Sequence, residues 1–143
     1  MNQILPYSLW LGHCGEGRNY GQILDLGARA IVQLAAEDAP LQPPPQLILC
    51  RFPLVDGTGN CAEVVHLAIG TVASLIRSHV PTFLCCGAGM SRAPTIAAAA
   101  LASIADESPE ECLRYLEHYH PSIVTPHFWE EVTGMVGLKA LAT

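Results

Sequence analysis

Between Thr82 and Ala105 the chain passes from an apolar stretch (Phe83-Leu84-Cys85) through a small-residue segment into a run dominated by alanine. The middle segment reads Cys86-Gly87-Ala88-Gly89-Met90-Ser91-Arg92. That order predicts a buried strand, a tight loop and a helix, with Pro94 suited to the first helical turn. A strand that feeds a helix through a short loop is the building unit of a parallel sheet, so this segment commits the chain to an α/β architecture. It also points to chemistry. The amides of a tight loop and of a helix N-terminus converge on one concavity that suits an anion. A cysteine at the loop entrance lies in the same positive field, which favours its thiolate. Arg92 offers a planar, bidentate fork to a phosphate or similar oxyanion. Six residues on from Cys86 is Arg92, whereas six on from Cys85 is Ser91. Cys86 is therefore the candidate nucleophile, and Cys85 is expected to be an inward-facing strand residue.

The rest of the chain alternates in the same way. Strands are expected at Leu9–Gly12, Ala30–Leu34, Leu47–Val55 and Thr82–Cys85, and helices at Tyr20–Leu26 and Ala62–Ser78. In the second helix Val65, Ile69, Val72, Leu75 and Ile76 recur at helical spacing and share a face. After the helix at Pro94, Ser108-Pro109-Glu110-Glu111 is a helix start, with serine at the N-cap and proline at the first helical position. That helix runs to about Tyr119, and a last one covers Phe128–Leu141. Asp38–Gln46, with four prolines, reads as an exposed loop. The expected fold is a mostly parallel central sheet of about four to five strands with helices on both faces, and residues 1–143 form one domain. In such sheets ligands sit beyond the carboxyl ends of the strands.

A second chemical part follows from that rule. Cleaving a phosphate ester requires a proton for the departing oxygen, which a carboxylic acid at the mouth of the cradle can supply. The chain has four aspartates, Asp25, Asp38, Asp56 and Asp106. Asp25 falls in a helical pattern, Asp106 in a helix–helix link and Asp38 in the proline-rich loop. Asp56 directly follows an expected strand and is flanked by Gly57 and Gly59, so it is the candidate acid.

Composition excludes several roles. Half the residues are hydrophobic and 14% are charged, which fits a folded domain. The net charge of −6, with Lys139 the single lysine, speaks against nucleic acid and against anionic membrane surfaces. No run of about 18 apolar residues suggests a membrane span, and no lysine or arginine precedes Arg18 as a secretory signal requires. The six cysteines, Cys14, Cys50, Cys61, Cys85, Cys86 and Cys112, have no zinc-finger or Cys-x-x-Cys spacing. A cytoplasmic, reduced protein with neither metal nor cofactor is expected. An oxidised Cys86 has candidate resolving partners in Cys85, Cys50 and Cys61.

These residues resemble a small dual-specificity phosphatase of the cysteine-dependent protein tyrosine phosphatase superfamily. The family signature is His-Cys, two residues, Gly, one residue, Ser, Arg, then Ser or Thr, and Cys86, Gly89, Ser91 and Arg92 stand in register with it. The segments Leu5–Gly12, Arg51–Asp56, His120-Pro121 and His127-Phe128-Trp129 resemble the family's first strands, acid loop and closing helices. Asp56 matches its acid position, thirty residues before Cys86. The resemblance implies a protein tyrosine phosphatase-like fold and hydrolysis of phosphotyrosine, phosphoserine or phosphothreonine, or small phosphoesters. It implies catalysis by Cys86, Arg92 and Asp56 through a phosphocysteine, with phosphate held by Gly87, Ala88, Gly89, Met90, Ser91 and Arg92. Two departures stand out: Cys85 replaces the histidine, and Ala93 replaces the hydroxyl residue that assists breakdown of the phosphocysteine. They keep open a phosphate-binding pseudophosphatase. In low-molecular-weight phosphatases and arsenate reductases the loop lies near the N-terminus, and rhodanese-like sulfur transferases match the flanking pattern less well. Arg18 and His13 are further candidates for the pocket rim.

Overall fold

The structure, a computed structural model, describes residues 1–142, with side chains as far as residue 136. Five strands, β1 (Asn2–Gln3), β2 (Leu9–His13), β3 (Ala30–Ala35), β4 (Ile48–Leu54) and β5 (Thr82–Cys86), form a sheet in the order β1-β2-β5-β3-β4. β1 runs antiparallel to β2, and the other pairings are parallel. The helices are α1 (Cys14–Gly17), α2 (Tyr20–Asp25), α3 (Ala62–Arg77), α4 (Arg92–Ala105), α5 (Pro109–Glu117) and α6 (Pro126–Ala142).

β5 lies at the centre of the sheet, between β2 and β3, and all of its residues are buried. Successive side chains on a strand face opposite sides. Leu84 and Cys86 accordingly join the larger core beneath α3, α4, α5 and α6, while Phe83 and Cys85 join a smaller one with Trp10, Ile23, Ile31 and Leu41. Cys85 is thus the inward-facing residue the spacing implied, and it turns its back on Cys86. The alanines explain the position of α4. Ala97, Ala98, Ala99 and Ala100 are buried on every side, as expected of a helix that is apolar all round. Their small side chains let α4 sit in the middle of the helical layer, against α3, α5 and α6. On α3 the buried residues are Val65, Ala68, Ile69, Val72 and Ala73, with Leu75 and Ile76 partly buried beside them. Ser108 caps α5, its Oγ accepting from the Glu111 amide at 3.2 Å.

Two elements go beyond the sequence reading. β1 is a two-residue pairing, too short to leave a periodic pattern. α1 is a single turn of Cys-Gly-Glu-Gly whose propensity is poor. Reciprocal capping holds it: the Glu16 amide donates to His13 Nδ1 at 3.2 Å, and the His13 amide donates to Glu16 Oε1 at 3.1 Å.

Candidate active site

The carboxyl ends of four parallel strands converge at one edge of the sheet. β5 ends at Cys86 and β2 at His13, Glu37 lies two residues past β3, and Asp56 lies two residues past β4. Residues 87–91 form the loop between β5 and α4, and helix α4 begins at Arg92, ahead of Pro94. Cys86, Ser91 and Arg92 are all buried. The Ala93 amide donates to Cys86 Sγ at 3.3 Å, so the sulfur sits at the positive end of α4.

The loop is held from outside by its carbonyls. The Cys14 amide donates to Gly87 O at 3.3 Å, the Ile123 amide donates to Met90 O at 2.8 Å, and His120 Nε2 lies 2.6 Å from Gly89 O. In a trans peptide the C=O and the following N–H point in opposite directions. Fixing these carbonyls outward therefore turns the amides of Ala88, Met90 and Ser91 to the other side of the loop. Among the described residues no protein acceptor engages those amides. Unpaired donors on one side of a loop that starts at a buried cysteine are the arrangement that can cradle an anion. Gly89 makes the tight turn possible. Its φ is +76°, and a Cβ there would lie 2.7 Å from the backbone C and O of Gly12 and 2.9 Å from His13 N. Gly89→Ala is therefore expected to destabilise the protein by about 2–3 kcal/mol, because the clash is with backbone that cannot step aside. Denaturant unfolding checks this, and an unchanged midpoint would contradict it.

Arg92 is fixed by three acceptors. Nη1 donates to Glu37 Oε1 at 2.6 Å and to Leu54 O at 2.8 Å, and Nη2 donates to Glu37 Oε2. An arginine has five N–H donors. Those left over are Nε–H and the second Nη2 hydrogen, which form the parallel side-on fork that fits an oxyanion. The hydrogen bonds from Arg92 hold the Glu37 carboxyl well below its ordinary range, at about 2. The same pairing keeps Arg92 charged, pushing its own pKa up. The pair packs against the start of the loop, where a Cβ on Gly87 would lie 2.9 Å from Nη2.

Asp56 is bound to the loop directly. Ser91 Oγ donates to Asp56 Oδ1 at 2.7 Å, and Thr125 Oγ1 donates to Oδ2 at 2.8 Å. The Thr125 amide in turn donates to Ser91 Oγ at 2.8 Å. The hydroxyl of Ser91 is thus committed outward to Asp56 rather than within the loop. The turn after Asp56 is fastened to α6, since Glu131 accepts from the Gly59 amide at 2.8 Å and from Asn60 Nδ2 at 2.9 Å.

The fold therefore joins Cys86, Ser91, Arg92 and Asp56 in one cluster and adds Glu37, Thr125 and His120, none of which the sequence reading singled out for the site. Glu37 obeys the same strand-end rule as Asp56, and applying that rule to β3 would have found it. His13 and Arg18 are exposed, and His13 is spent on capping α1. Burial pushes the Cys85 thiol up to about 12 and raises that of Cys50, which leaves both with little thiolate for exchange chemistry. A wider groove of about 610 Å³, lined by Ile69, Ala73, Ala99 and Val136 among others, shares no residue with the cluster.

A central strand delivering a cysteine into a loop that opens a buried helix, within a five-stranded, mostly parallel sheet, is the fold of the dual-specificity phosphatases. Among solved structures, human DUSP28 matches with a TM-score of 0.85 over 100% of both chains at 16% identity. A mouse putative dual-specificity phosphatase, solved with zinc tungstate, matches at 0.83 with 16% identity over 99% of this chain and 89% of that one. The human tyrosine phosphatase-like serine/threonine/tyrosine-interacting protein matches at 0.81 with 14% identity, over 98% of this chain and 97% of that one. No protein-family model and no curated protein matches the chain.

Proposed function

We propose that this chain is, as a single catalytic domain, a cysteine-dependent phosphatase acting on phosphotyrosine, with phosphoserine, phosphothreonine or small phosphoesters as further substrates. The observation that carries this reading is the loop: the amides of Ala88, Met90 and Ser91 have no protein partners, they follow a buried cysteine, and one fork of Arg92 remains free. Phosphate enters the amides of residues 87–91 and is clamped by Arg92 through Nε and Nη2. The Cys86 thiolate attacks phosphorus in line, the ester P–O bond breaks, and Asp56 protonates the leaving oxygen. Water then attacks the phosphocysteine and gives a proton to Asp56. The P–S bond breaks, the thiolate re-forms and orthophosphate leaves. The amides and Arg92 supply the charge stabilisation for both steps.

The tungstate in the mouse relative's structure is an oxyanion of the kind such a cradle accepts. The loop contains no lysine, and two exposed apolar side chains stand beside its contacts: Val55 precedes Asp56, and the amide of Ile123 itself donates to Met90 O. An apolar rim with one arginine suits a singly phosphorylated group on a protein or a small organic molecule better than a polyphosphorylated headgroup. Among the described residues no helix is long and apolar enough to cross a membrane. A reducing compartment such as the cytoplasm is where a thiolate nucleophile stays usable.

Ala93 favours a second reading. With no hydroxyl after Arg92 to assist the second step, the phosphocysteine would accumulate, and a protein that binds phosphate without turning over would result. Hydrolysis of p-nitrophenyl phosphate from about pH 5 to 8, in reductant and chelator, separates the two. Steady turnover supports the phosphatase, whereas a single burst identifies a stalled intermediate. The acid assignment has its own test. Asp56→Asn is expected to slow hydrolysis of phenyl phosphate, a poor leaving group, by about 100-fold, and that of p-nitrophenyl phosphate far less. Equal loss on both substrates, or none, would remove Asp56 from the acid role.

A further inference from the structure

Among the described residues His120 is the buried histidine. It lies in the connection between α5 and α6, and both ring nitrogens are engaged. Nε2 is 2.6 Å from Gly89 O, and Nδ1 is 2.9 Å from Asn2 Nδ2. A carbonyl oxygen can only accept, so Nε2 carries the hydrogen. An amide NH₂ donates, so Nδ1 is the bare acceptor and the ring is the neutral Nε2–H tautomer. The same connection grips the next two loop residues, through the Ile123 amide on Met90 O and the Thr125 amide on Ser91 Oγ. Three consecutive loop residues are thus held by one segment.

Gly89 is where such a hold matters most. Glycine passes readily between backbone conformations, so the peptide between Gly89 and Met90 is able to turn over. Turned over, it would present its carbonyl oxygen to the anion and remove one donor. We propose that His120 is a positioning residue for the phosphate loop: its ring, oriented by Asn2, holds the Gly89 carbonyl outward and so keeps the Met90 amide aimed at the bound oxyanion. His120 itself touches no substrate. The proposal rests on the reading that this loop binds phosphate.

Three proteins test it: wild type, His120→Ala and His120→Gln, whose side-chain amide nitrogen reaches about as far as Nε2. In wild type, ¹⁵N shifts of the histidine rings are expected to place the His120 proton on Nε2 alone. Calorimetric titration with orthophosphate in reductant is expected to give a dissociation constant about tenfold weaker for His120→Ala, with most of the loss recovered in His120→Gln. Under the same reading KM for p-nitrophenyl phosphate rises more than kcat falls. A folded His120→Ala that binds orthophosphate like wild type overturns the proposal, and so does a wild-type ring protonated on Nδ1 with Nε2 bare. If His120→Ala does not fold, His120→Gln and the wild-type ring decide. A His120→Gln as weak as the poorest binder, with no recovery, also counts against it. If wild type itself binds no orthophosphate, the phosphate reading fails, and the positioning role fails with it.

Discussion

Cys86→Ser is expected to lower turnover of p-nitrophenyl phosphate by more than about a thousandfold while leaving orthophosphate affinity within a few-fold of wild type. The two halves of this expectation come from different parts of the site. Anion binding belongs to backbone amides and to Arg92, and a serine changes neither. Its hydroxyl is smaller than the thiol and can accept the Ala93 amide that now donates to Sγ. Nucleophilicity is another matter. A serine in such a position needs a base to take its proton, and among the described residues no histidine or carboxylate is hydrogen-bonded to Cys86, whose one partner is that donor. A thiol can ionise without a neighbouring base, but an alcohol cannot at ordinary pH. Steady-state rates and an orthophosphate titration on the same preparation check both halves. Retained turnover would move the nucleophile elsewhere, and lost binding would show that the sulfur itself organises the loop.

What could be read from the sequence divides by distance along the chain. Cys86, the loop and Arg92 are contiguous, and one strand–loop–helix unit positions all of them, so their spacing was enough. Asp56 lies thirty residues away but obeys a topological rule: it lies just past the end of a parallel strand, and such strands deliver their carboxyl ends to one place. Glu37 obeys that rule too, yet the proline-rich stretch behind it read as plain loop. His120 and Thr125 follow no such rule. They reach the loop from the connection between α5 and α6, and their contacts depend on how the last helices fold back, which no local periodicity encodes. Ser91 shows the same limit at closer range. Its position in the loop was plain, but the partners of its hydroxyl are 35 and 34 residues away at Asp56 and Thr125. On the fold side, the long periodic elements were legible to within a residue or two at most ends. β1 and α1 are held by pairing and capping and were not.

Arg92→Lys is expected to lower kcat/KM for p-nitrophenyl phosphate by about 100-fold, although the formal charge is unchanged. The reasoning is a count of donors. Glu37 takes the end-on fork of Arg92 and Leu54 O takes one more hydrogen, leaving Nε–H and one Nη2 hydrogen as a rigid parallel pair for phosphate. A lysine ammonium brings three donors to a single point and cannot serve Glu37, Leu54 O and two phosphate oxygens from fixed directions. Its nearest anion is the Glu37 carboxylate, which competes with substrate for it. The change should fall mainly on rate rather than on stability. Glu37 has its carboxyl depressed to about 2, so the pair contributes fully above the ordinary carboxylate range and loses that contribution only as pH falls towards 2. The Glu37 side chain is also 58% exposed, and solvent screening keeps a pair of that kind worth little to the fold. Between about pH 5 and 8 the pair therefore stays ionised in the wild type, whose pH profile owes nothing to Glu37. Melting temperatures and kcat/KM measured together test the count. Lysine within threefold of arginine would mean that charge alone suffices and that the free fork has no role. A collapse of melting temperature matching the loss of rate would mean that Arg92 serves mainly to hold Leu54 and Glu37 in place.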